Sequence, residues 1–104
     1  MAFSQIRVII ADDSGFMQLL IKDILSIDKT IKVIDTAENG KQALEKVKYH
    51  QPDVVLMDML MPKFDGLYGV EMIMQECPVP IVILSTVGNE NIGPIMAALN
   101  LGAF

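Results

Sequence analysis

The sequence lacks features that several classes of protein require. It has a single cysteine, Cys77, so no internal disulfide can form, which fits a reducing compartment. Only eight of its 104 residues are basic, against 13 acidic ones, and the basic residues form no stripe. We therefore expect this domain not to bind nucleic acid directly.

Long hydrophobic runs are also missing, although 52% of the residues are hydrophobic. No apolar run reaches the roughly 18 residues of a membrane span, so we expect no membrane insertion. The first residues, Met1–Arg7, lack the basic region followed by an apolar core that marks a signal peptide. We expect a cytoplasmic protein in which residues 1–104 form one domain with one core.

What the sequence does contain is a regular alternation of strand-like and helix-like segments joined by short connections. The order βαβαβαβα predicts an α/β fold, with a parallel sheet and helices on both faces. The predicted strands are Ile6–Ala11, Ile31–Ala37, Asp53–Asp58 and Ile81–Ser85, and the predicted helices are Phe16–Ile27, Lys41–Tyr49, Leu67–Glu76 and Ile92–Leu99.

The first predicted helix is unusual because apolar residues cover about half of its circumference. An ordinary surface helix needs an apolar stripe of only about 100°. We therefore expect this helix to have partners on more than one side. Ser14 and Asn39 precede the first two helices and are residue types preferred at N-caps.

The most informative stretch is Val54–Pro62, in which Asp58 interrupts an otherwise apolar run. A charged side chain inside such a run is costly unless it lies at the end of the strand. Pro62 cannot continue a central strand, so the strand must end before it. Asp58 is thus placed at the carboxyl end of a buried strand, where open α/β sheets have their ligand sites.

Two more carboxylates, Asp12 and Asp13, directly follow the first strand, where an isolated Asp-Asp-Ser is most often a solvated turn. If the first and third strands are neighbours, these groups and Asp58 crowd together and repel one another. A divalent cation resolves that repulsion, and a few hard oxygen ligands with room for water suit Mg²⁺. Ser85 and Thr86 add hydroxyl donors at the same edge, so the site suits phosphoryl transfer to a carboxylate.

Four segments spread over the whole chain carry a family resemblance: Val8–Ser14, Pro52–Gly66, Pro80–Ser85 and Leu101–Phe104. In these segments and their order the sequence resembles the receiver domains of two-component response regulators. Residues 83–86 and the Leu-Gly-Ala-Phe ending also resemble receivers of chemotaxis methylesterases. The resemblance implies a flavodoxin-like, doubly wound parallel sheet with strand order 2-1-3-4, truncated before the fifth βα unit.

Carried over residue by residue, the resemblance implies a phosphoacceptor signalling domain. Asp58 would accept a phosphoryl group from the phosphohistidine of a histidine kinase. Asp13 and Asp58 would bind Mg²⁺ together with the backbone carbonyl of Leu60, and Asp12 would act mainly through water. Such a domain carries out the phosphoryl transfer to its own aspartate and turns over no external substrate, so we do not expect an enzyme.

The resemblance also implies roles around the acceptor. Ser85 would be the switch hydroxyl that moves to meet the phosphate, with Thr86 and Met59 at neighbouring phosphate-contact positions. Pro62 and Gly66 would shape the loop that follows the acceptor.

The sequence departs from the family pattern at its end, since the fifth strand, the lysine that ends it and the fifth helix do not follow Phe104. The fourth strand, Ile81–Leu84, would then be an apolar edge, through which we expect copies of the chain to associate. Leu60 is apolar and cannot position an attacking water, which predicts slow self-dephosphorylation.

Two alternative functions remain open. The chain could be a receiver-like interaction or oligomerisation module that is not phosphorylated, since the family's lysine is missing. It could instead be a Mg²⁺-dependent phosphohydrolase that uses Asp58 as nucleophile. Enzymes of that class carry a second acid two residues after the nucleophile, where this chain has Leu60.

Overall fold

The computed structural model describes residues 5–84 and 92–104, in which strands and helices alternate in the predicted order. The strands are β1 (Ile6–Ala11), β2 (Ile31–Ala37), β3 (Val54–Asp58) and β4 (Ile81–Leu84). The helices are α1 (Gly15–Leu25), α2 (Gly40–His50), α3 (Gly66–Glu76) and α4 (Ile92–Asn100). The predicted boundaries differ from these by one or two residues; α1, for example, ends before Ile27.

The sheet has the strand order β2-β1-β3-β4, and every neighbouring pair is parallel. The predicted 2-1-3-4 order is therefore confirmed. Strand β1, which Asp12 follows, and strand β3, which ends in Asp58, are neighbours. One feature was not predicted: the register of β1 against β2 shifts between Val8 and Ile9, so Ile34 of β2 has no partner. Such an irregularity leaves no simple sequence signal, because it depends on how the two strands pair and not on either strand alone.

Helix starts are fixed by side chains that accept a backbone N–H three positions later. Ser14 caps α1 at 3.2 Å and Asn39 caps α2 at 2.8 Å, as predicted. Asp65 caps α3 at 2.9 Å, a role that was not predicted from the sequence. All three side chains are of the type that satisfies the unpaired N–H groups of a first helical turn.

One face of the sheet is covered by α2, α3 and α4, and this closed face contains the main core. Because strand side chains alternate between faces, every second residue of the central strands enters that core. The core comprises Ile9 and Ala11 of β1, Val55 and Met57 of β3, Ile81 of β4, Ala43, Leu44 and Val47 of α2, Val70 and Ile73 of α3, and Ala98 of α4, with Ala37, Met59, Met61 and Ala103.

The opposite face carries α1 alone, and none of the eleven residues of this helix is buried. The apolar residues of α1 form two stripes. Met17, Ile21 and Leu25 belong to the less exposed one. The outer stripe, defined here as Phe16, Leu20 and Ile24 of α1 with Ile27 just beyond its end, is between 41 and 84% exposed. The expectation that α1 has partners on more than one side stays a prediction. No helix in residues 5–84 or 92–104 is long and apolar enough to cross a bilayer.

The free edge of β4 is less open than the sequence predicted. After α4 the chain reverses at Gly102, which has a φ of +110°, and Phe104 returns along the strand. The N–H of Phe104 donates to the carbonyl of Ile81 at 2.8 Å, and the N–H of Ile83 donates to the carbonyl of Phe104 at 2.8 Å. The expectation of an unpaired β4 edge is therefore wrong for its first three residues.

Candidate functional site

The carboxyl ends of β1 and β3 bring the predicted acidic residues together. Ala11 pairs with Met57 in the parallel register, so Asp12 and Asp58 follow at the same level of adjacent strands. One oxygen each from Asp12, Asp13 and Asp58 lies within 4.8 Å of the others. Asp12 is only 7% exposed, Asp58 is half-buried and Asp13 is exposed. The predicted acidic cluster is therefore present.

The cluster is held from the side of α1. The Asp12 carboxylate accepts the N–H of Ser14 at 2.9 Å, and the Ser14 hydroxyl in turn caps the helix. The side-chain amide of Gln18 donates to the carbonyl of Asp12 at 2.6 Å. Gln18 was not predicted to support the site, since a glutamine one turn into a helix has no distinguishing pattern. These bonds fix the turn in which both Asp12 and Asp13 lie.

The electrostatics of the cluster disfavour three ionised carboxylates. Burial raises the pKa of Asp58, and the neighbouring charges of Asp12 and Asp13 raise it further. Hydrogen bonds from the backbone N–H groups of Leu60, at 3.2 Å, and Met59 oppose this rise without cancelling it. The three carboxylates form the repulsive arrangement that a divalent cation neutralises.

The loop after Asp58 contains the other predicted positions. Leu60 is 58% exposed, whereas the side chain of Met59 is only 3% exposed and belongs to the core, so Met59 meets the site through its backbone. Pro62 is exposed. Gly66 begins α3, and a Cβ built there would lie 2.3 Å from the carbonyl oxygen of Asp58. Gly66 therefore lets the helix start directly against the strand end. Ser85 and Thr86 lie outside the described residues.

A cleft of about 500 Å³ opens beside the carboxylates. Its polar end is formed by the three aspartates and Ser14, and its apolar walls come from α1, β4 and the loop after β3. The apolar lining residues are Met17, Ile21, Leu60 and Leu84. The carboxylates are thus accessible to a phosphoryl donor.

A second charged cluster, which no sequence pattern predicts, joins α2 to the edge strand β2. The carboxylate of Asp35 contacts Lys46 Nζ at 3.1 Å and His50 Nε2 at 2.9 Å, and Lys46 also donates to the carbonyl of Thr36. Burial alone would raise the pKa of Asp35, but the hydrogen bonds from His50, Thr36 and Lys46 lower it overall. These contacts join α2 to strand β2 of the sheet.

Comparison with known proteins agrees with this geometry. The model of the response regulator receiver domain family matches residues 8–104. The chain is 48% identical over 101 residues to a protein-glutamate methylesterase/protein-glutamine glutaminase of Desulfitobacterium hafniense, covering 97% of this chain and 26% of that protein. The protein of the same name from Methanosarcina barkeri is 46% identical over 98 residues, with coverages of 94% and 27%. The chain spans about a quarter of the length of these relatives.

Solved structures give the same result. The response regulator domain of Thermotoga maritima CheB superposes with a TM-score of 0.88 at 35% identity, covering 95% of this chain and 74% of that one. A chain of the CheX–CheY–BeF₃–Mg²⁺ complex from Borrelia burgdorferi superposes with a TM-score of 0.81 at 32% identity, with coverages of 93% and 72%. The predicted resemblance to methylesterase receivers is confirmed, and this chain belongs to the response regulator receiver domains, the phosphoacceptor signalling domains of two-component systems.

Proposed function

We propose that Asp58 is the residue that accepts the phosphoryl group, from the phosphohistidine of a histidine kinase. The observation that carries this proposal is the position of Asp58 at the end of β3, half-buried and within 4.8 Å of two other carboxylates. The hydrogen bonds of Asp12 and Asp58 to nearby backbone N–H groups stabilise local turns, but they do not remove the repulsion among the three carboxylates. Its exposure to the 500 Å³ cleft gives a donor access.

The same carboxylates are suited to a magnesium ion. We assign Asp13, Asp58 and the backbone carbonyl of Leu60 as its protein ligands, with Asp12 acting through water. The donor set consists of oxygen atoms alone, and Mg²⁺ prefers few protein oxygens together with water molecules. When bound, the ion supplies positive charge that offsets the repulsion between the acceptor and the phosphoryl oxygens.

The transfer itself requires one bond to form and one to break. A carboxylate oxygen of Asp58 attacks the phosphorus in line with the departing imidazole nitrogen, which keeps the electron pair of the broken P–N bond. The products are an acyl phosphate on Asp58 and the histidine of the kinase, which becomes neutral when the departing nitrogen takes up one proton from water. The N–H of Leu60, which binds one oxygen of Asp58, orients the carboxylate for this attack.

A phosphohydrolase is less well supported by the same residues. Hydrolysis of the acyl phosphate needs a group that positions water, and the exposed side chain two residues after Asp58 is the apolar Leu60. We therefore propose acceptance followed by slow self-dephosphorylation. A phosphate-release time course measures this directly, and release within seconds contradicts it.

The remaining proposals concern partners and context. We infer that residues 1–104 act as one domain in the cytoplasm, with a histidine kinase as partner and no direct contact with nucleic acid. We also propose that a second copy of this chain binds the outer stripe of α1, instead of the β4 edge on which Phe104 lies. The charged residues of α1 are Lys22 and Asp23, one of each sign, so two antiparallel copies can pair them.

Phosphorylation is tested by the intact mass of the protein after incubation with Mg²⁺ and acetyl phosphate. We expect the mass of one phosphoryl group to be added, and we expect Asp58→Asn to abolish the addition. Asp23→Asn, on the exposed side of α1, is the matched control and should be phosphorylated like the unmodified chain. Absence of the added mass would instead favour the module that only binds partners.

A further inference from the structure

The loop between β3 and α3, residues 59–65, is held at both of its ends by a glycine. Gly66, which follows the loop, packs against its first residue: a Cβ on Gly66 would lie 2.3 Å from the carbonyl oxygen of Asp58 and 2.7 Å from the Cα of Met59. The N–H of Gly66 donates to the carbonyl of Met59 at 3.3 Å. The loop therefore leaves the strand and enters α3 within a very small space.

The last two loop residues, Phe64 and Asp65, are contacted by α2, which is distant in sequence. The N–H of Gly40, the first residue of α2, donates to the carbonyl of Phe64 at 2.6 Å. A Cβ built on Gly40 would lie 2.4 Å from the carbonyl oxygen of Asp65 and 2.9 Å from the nitrogen of Gly69. Both of these are backbone atoms, so no side-chain rotation can make room there.

Side chains support the same contact. Lys41 Nζ lies 5.5 Å from the centre of the Phe64 ring, and the Phe64 and Tyr68 rings are 4.9 Å apart. Between the two held ends, Lys63 adopts a φ of +65°, a conformation that a lysine keeps only when its surroundings determine it. The start of α2 thus fixes the backbone of a loop whose own sequence would leave it adaptable.

We infer that Gly40 is a positioning residue for the phosphoacceptor site, because its contact with Phe64 and Asp65 sets where the Leu60 backbone lies relative to Asp58. The consequence for magnesium binding and phosphoryl transfer rests on the proposed function. Ordinary van der Waals contact begins at 3.4 Å, so a methyl group at 2.4 Å requires the Asp65 carbonyl to move by about 1 Å, the difference of the two. Displacements of about 1 Å near reacting groups can lower rates by a factor of about 100.

The test compares Gly40→Ala with Gly69→Ala. Both residues are buried at the same α2–α3 contact, Gly40 as the first residue of α2 and Gly69 as the fourth residue of α3. A Cβ on Gly69 would meet the flexible end of the Met57 side chain at 2.7 Å and the Cα of Gly40 at 3.2 Å. Gly69→Ala therefore presses mainly on a side chain that can rotate and touches no atom of the loop directly.

The readout is the Mg²⁺ concentration that half-saturates the NMR shift of the Leu60 amide. We expect Gly40→Ala to raise this concentration about tenfold, as for residues that support metal ligands, and Gly69→Ala to leave it within about twofold. A merely structural role would lower the intensity of the native signals in both variants and leave the midpoint unchanged. Equal midpoints in the two variants overturn the inference.

Two further measurements cover other outcomes. If Gly40→Ala does not fold, Phe64→Leu, which weakens the ring contacts with Lys41 and Tyr68 that support the same region, should raise the midpoint by a smaller factor, and an unchanged midpoint counts against the inference. If the unmodified chain does not bind Mg²⁺, the proposed function fails, but hydrogen exchange of the Leu60 amide still tests the positioning. Exchange should be faster in Gly40→Ala than in Gly69→Ala, and equal rates contradict the inference.

Discussion

The two faces of the sheet differ in how completely they are covered. On the closed face, α2, α3 and α4 bury alternate residues of β1, β3 and β4 in one continuous core. On the other face, α1 lies alone, and the strand residues Leu56, Val82 and Leu84 are only half-buried. On this face β3 and β4 are therefore partly exposed to water, whereas Val8 and Ile10 of β1 are 3 and 0% exposed.

This difference shows that the folded state depends mainly on one side of the molecule. Buried apolar area is the main favourable contribution to folding, at roughly 25 cal/mol per Å². The closed face supplies most of it, whereas α1 contributes through its cap, the bond from Gln18 to Asp12 and its less exposed stripe. The outer stripe of α1 is surface available for a partner.

The largest expected effect separates an isoleucine on each side. Ile73 of α3 is 0% exposed, whereas Ile24 of α1 is 57% exposed. We expect Ile73→Ala to lower the free energy of unfolding by about 2–5 kcal/mol, since it leaves a cavity in the core. Ile24→Ala should change it by less than about 0.5 kcal/mol at low protein concentration. Chemical denaturation measures both, and equal losses would refute the difference between the faces.

The next largest expected effect concerns what binds to the outer stripe of α1. If a second copy covers the outer stripe, Ile24→Ser should weaken association about tenfold or more, because an isoleucine side chain would no longer be buried. Tyr49→Ser is the control, since Tyr49 is 83% exposed and lies on α2, away from the outer stripe. Sedimentation velocity over micromolar concentrations gives the dissociation constants. A monomer at all concentrations would rule out the second copy.

A smaller effect is expected at the carboxyl edge of the sheet, where Asp58 lies. The raised pKa of Asp58 means that the folded protein holds this proton more tightly than the unfolded chain. Its stabilising contribution is present below the unfolded pKa, about 4, and is lost as the pH rises through the folded pKa. Without Mg²⁺, Asp58→Asn should therefore raise the free energy of unfolding at pH 7.

The pH series provides the control for this prediction. The difference between Asp58→Asn and the unmodified chain should disappear below pH 4, where the aspartate is protonated in both states. The same series on Asp23→Asn, outside the cluster, serves as the comparison. A stabilisation that is independent of pH would show that charge repulsion in the cluster is not its cause.

The smallest expected effect concerns the contacts of Asp35 with Lys46 and His50, which join α2 to β2. The lowered pKa of Asp35 gives stability above its unfolded pKa, which is lost as the pH falls through the folded pKa. Asp35→Asn should lower the free energy of unfolding at pH 7 by about 0.5 kcal/mol, as for a half-exposed ion pair, with no difference in strong acid. Thermal unfolding at the two pH values measures this. A loss that persists in acid would point to packing instead of charge.

The fold was predictable because the apolar periodicity of each element is strong. The unbroken run before Asp58 and the caps Ser14 and Asn39 mark element ends through local chemistry alone. The register shift beside Ile9 and the return of Phe104 to β4 were not predictable, since both depend on neighbours distant in the chain. Local sequence determines elements better than it determines edges.

The site was predictable to the same extent. The acidic cluster follows from strand ends and parallel order, so Asp12, Asp13 and Asp58 could be named in advance. Gln18 and Gly40 could not, because their roles come from one hydrogen bond or one backbone contact across the fold. A glutamine and a glycine at these positions look ordinary in sequence.

The return of Phe104 along β4 also bears on how this chain avoids aggregation. An open strand edge can template the addition of another strand, and proteins usually obstruct such edges with charge, proline or a bulge. Here, Phe104 occupies the N–H of Ile83 and the carbonyl of Ile81, and an incoming strand would first have to displace it. The backbone of Phe104 thereby covers the first part of the most apolar strand of the sheet.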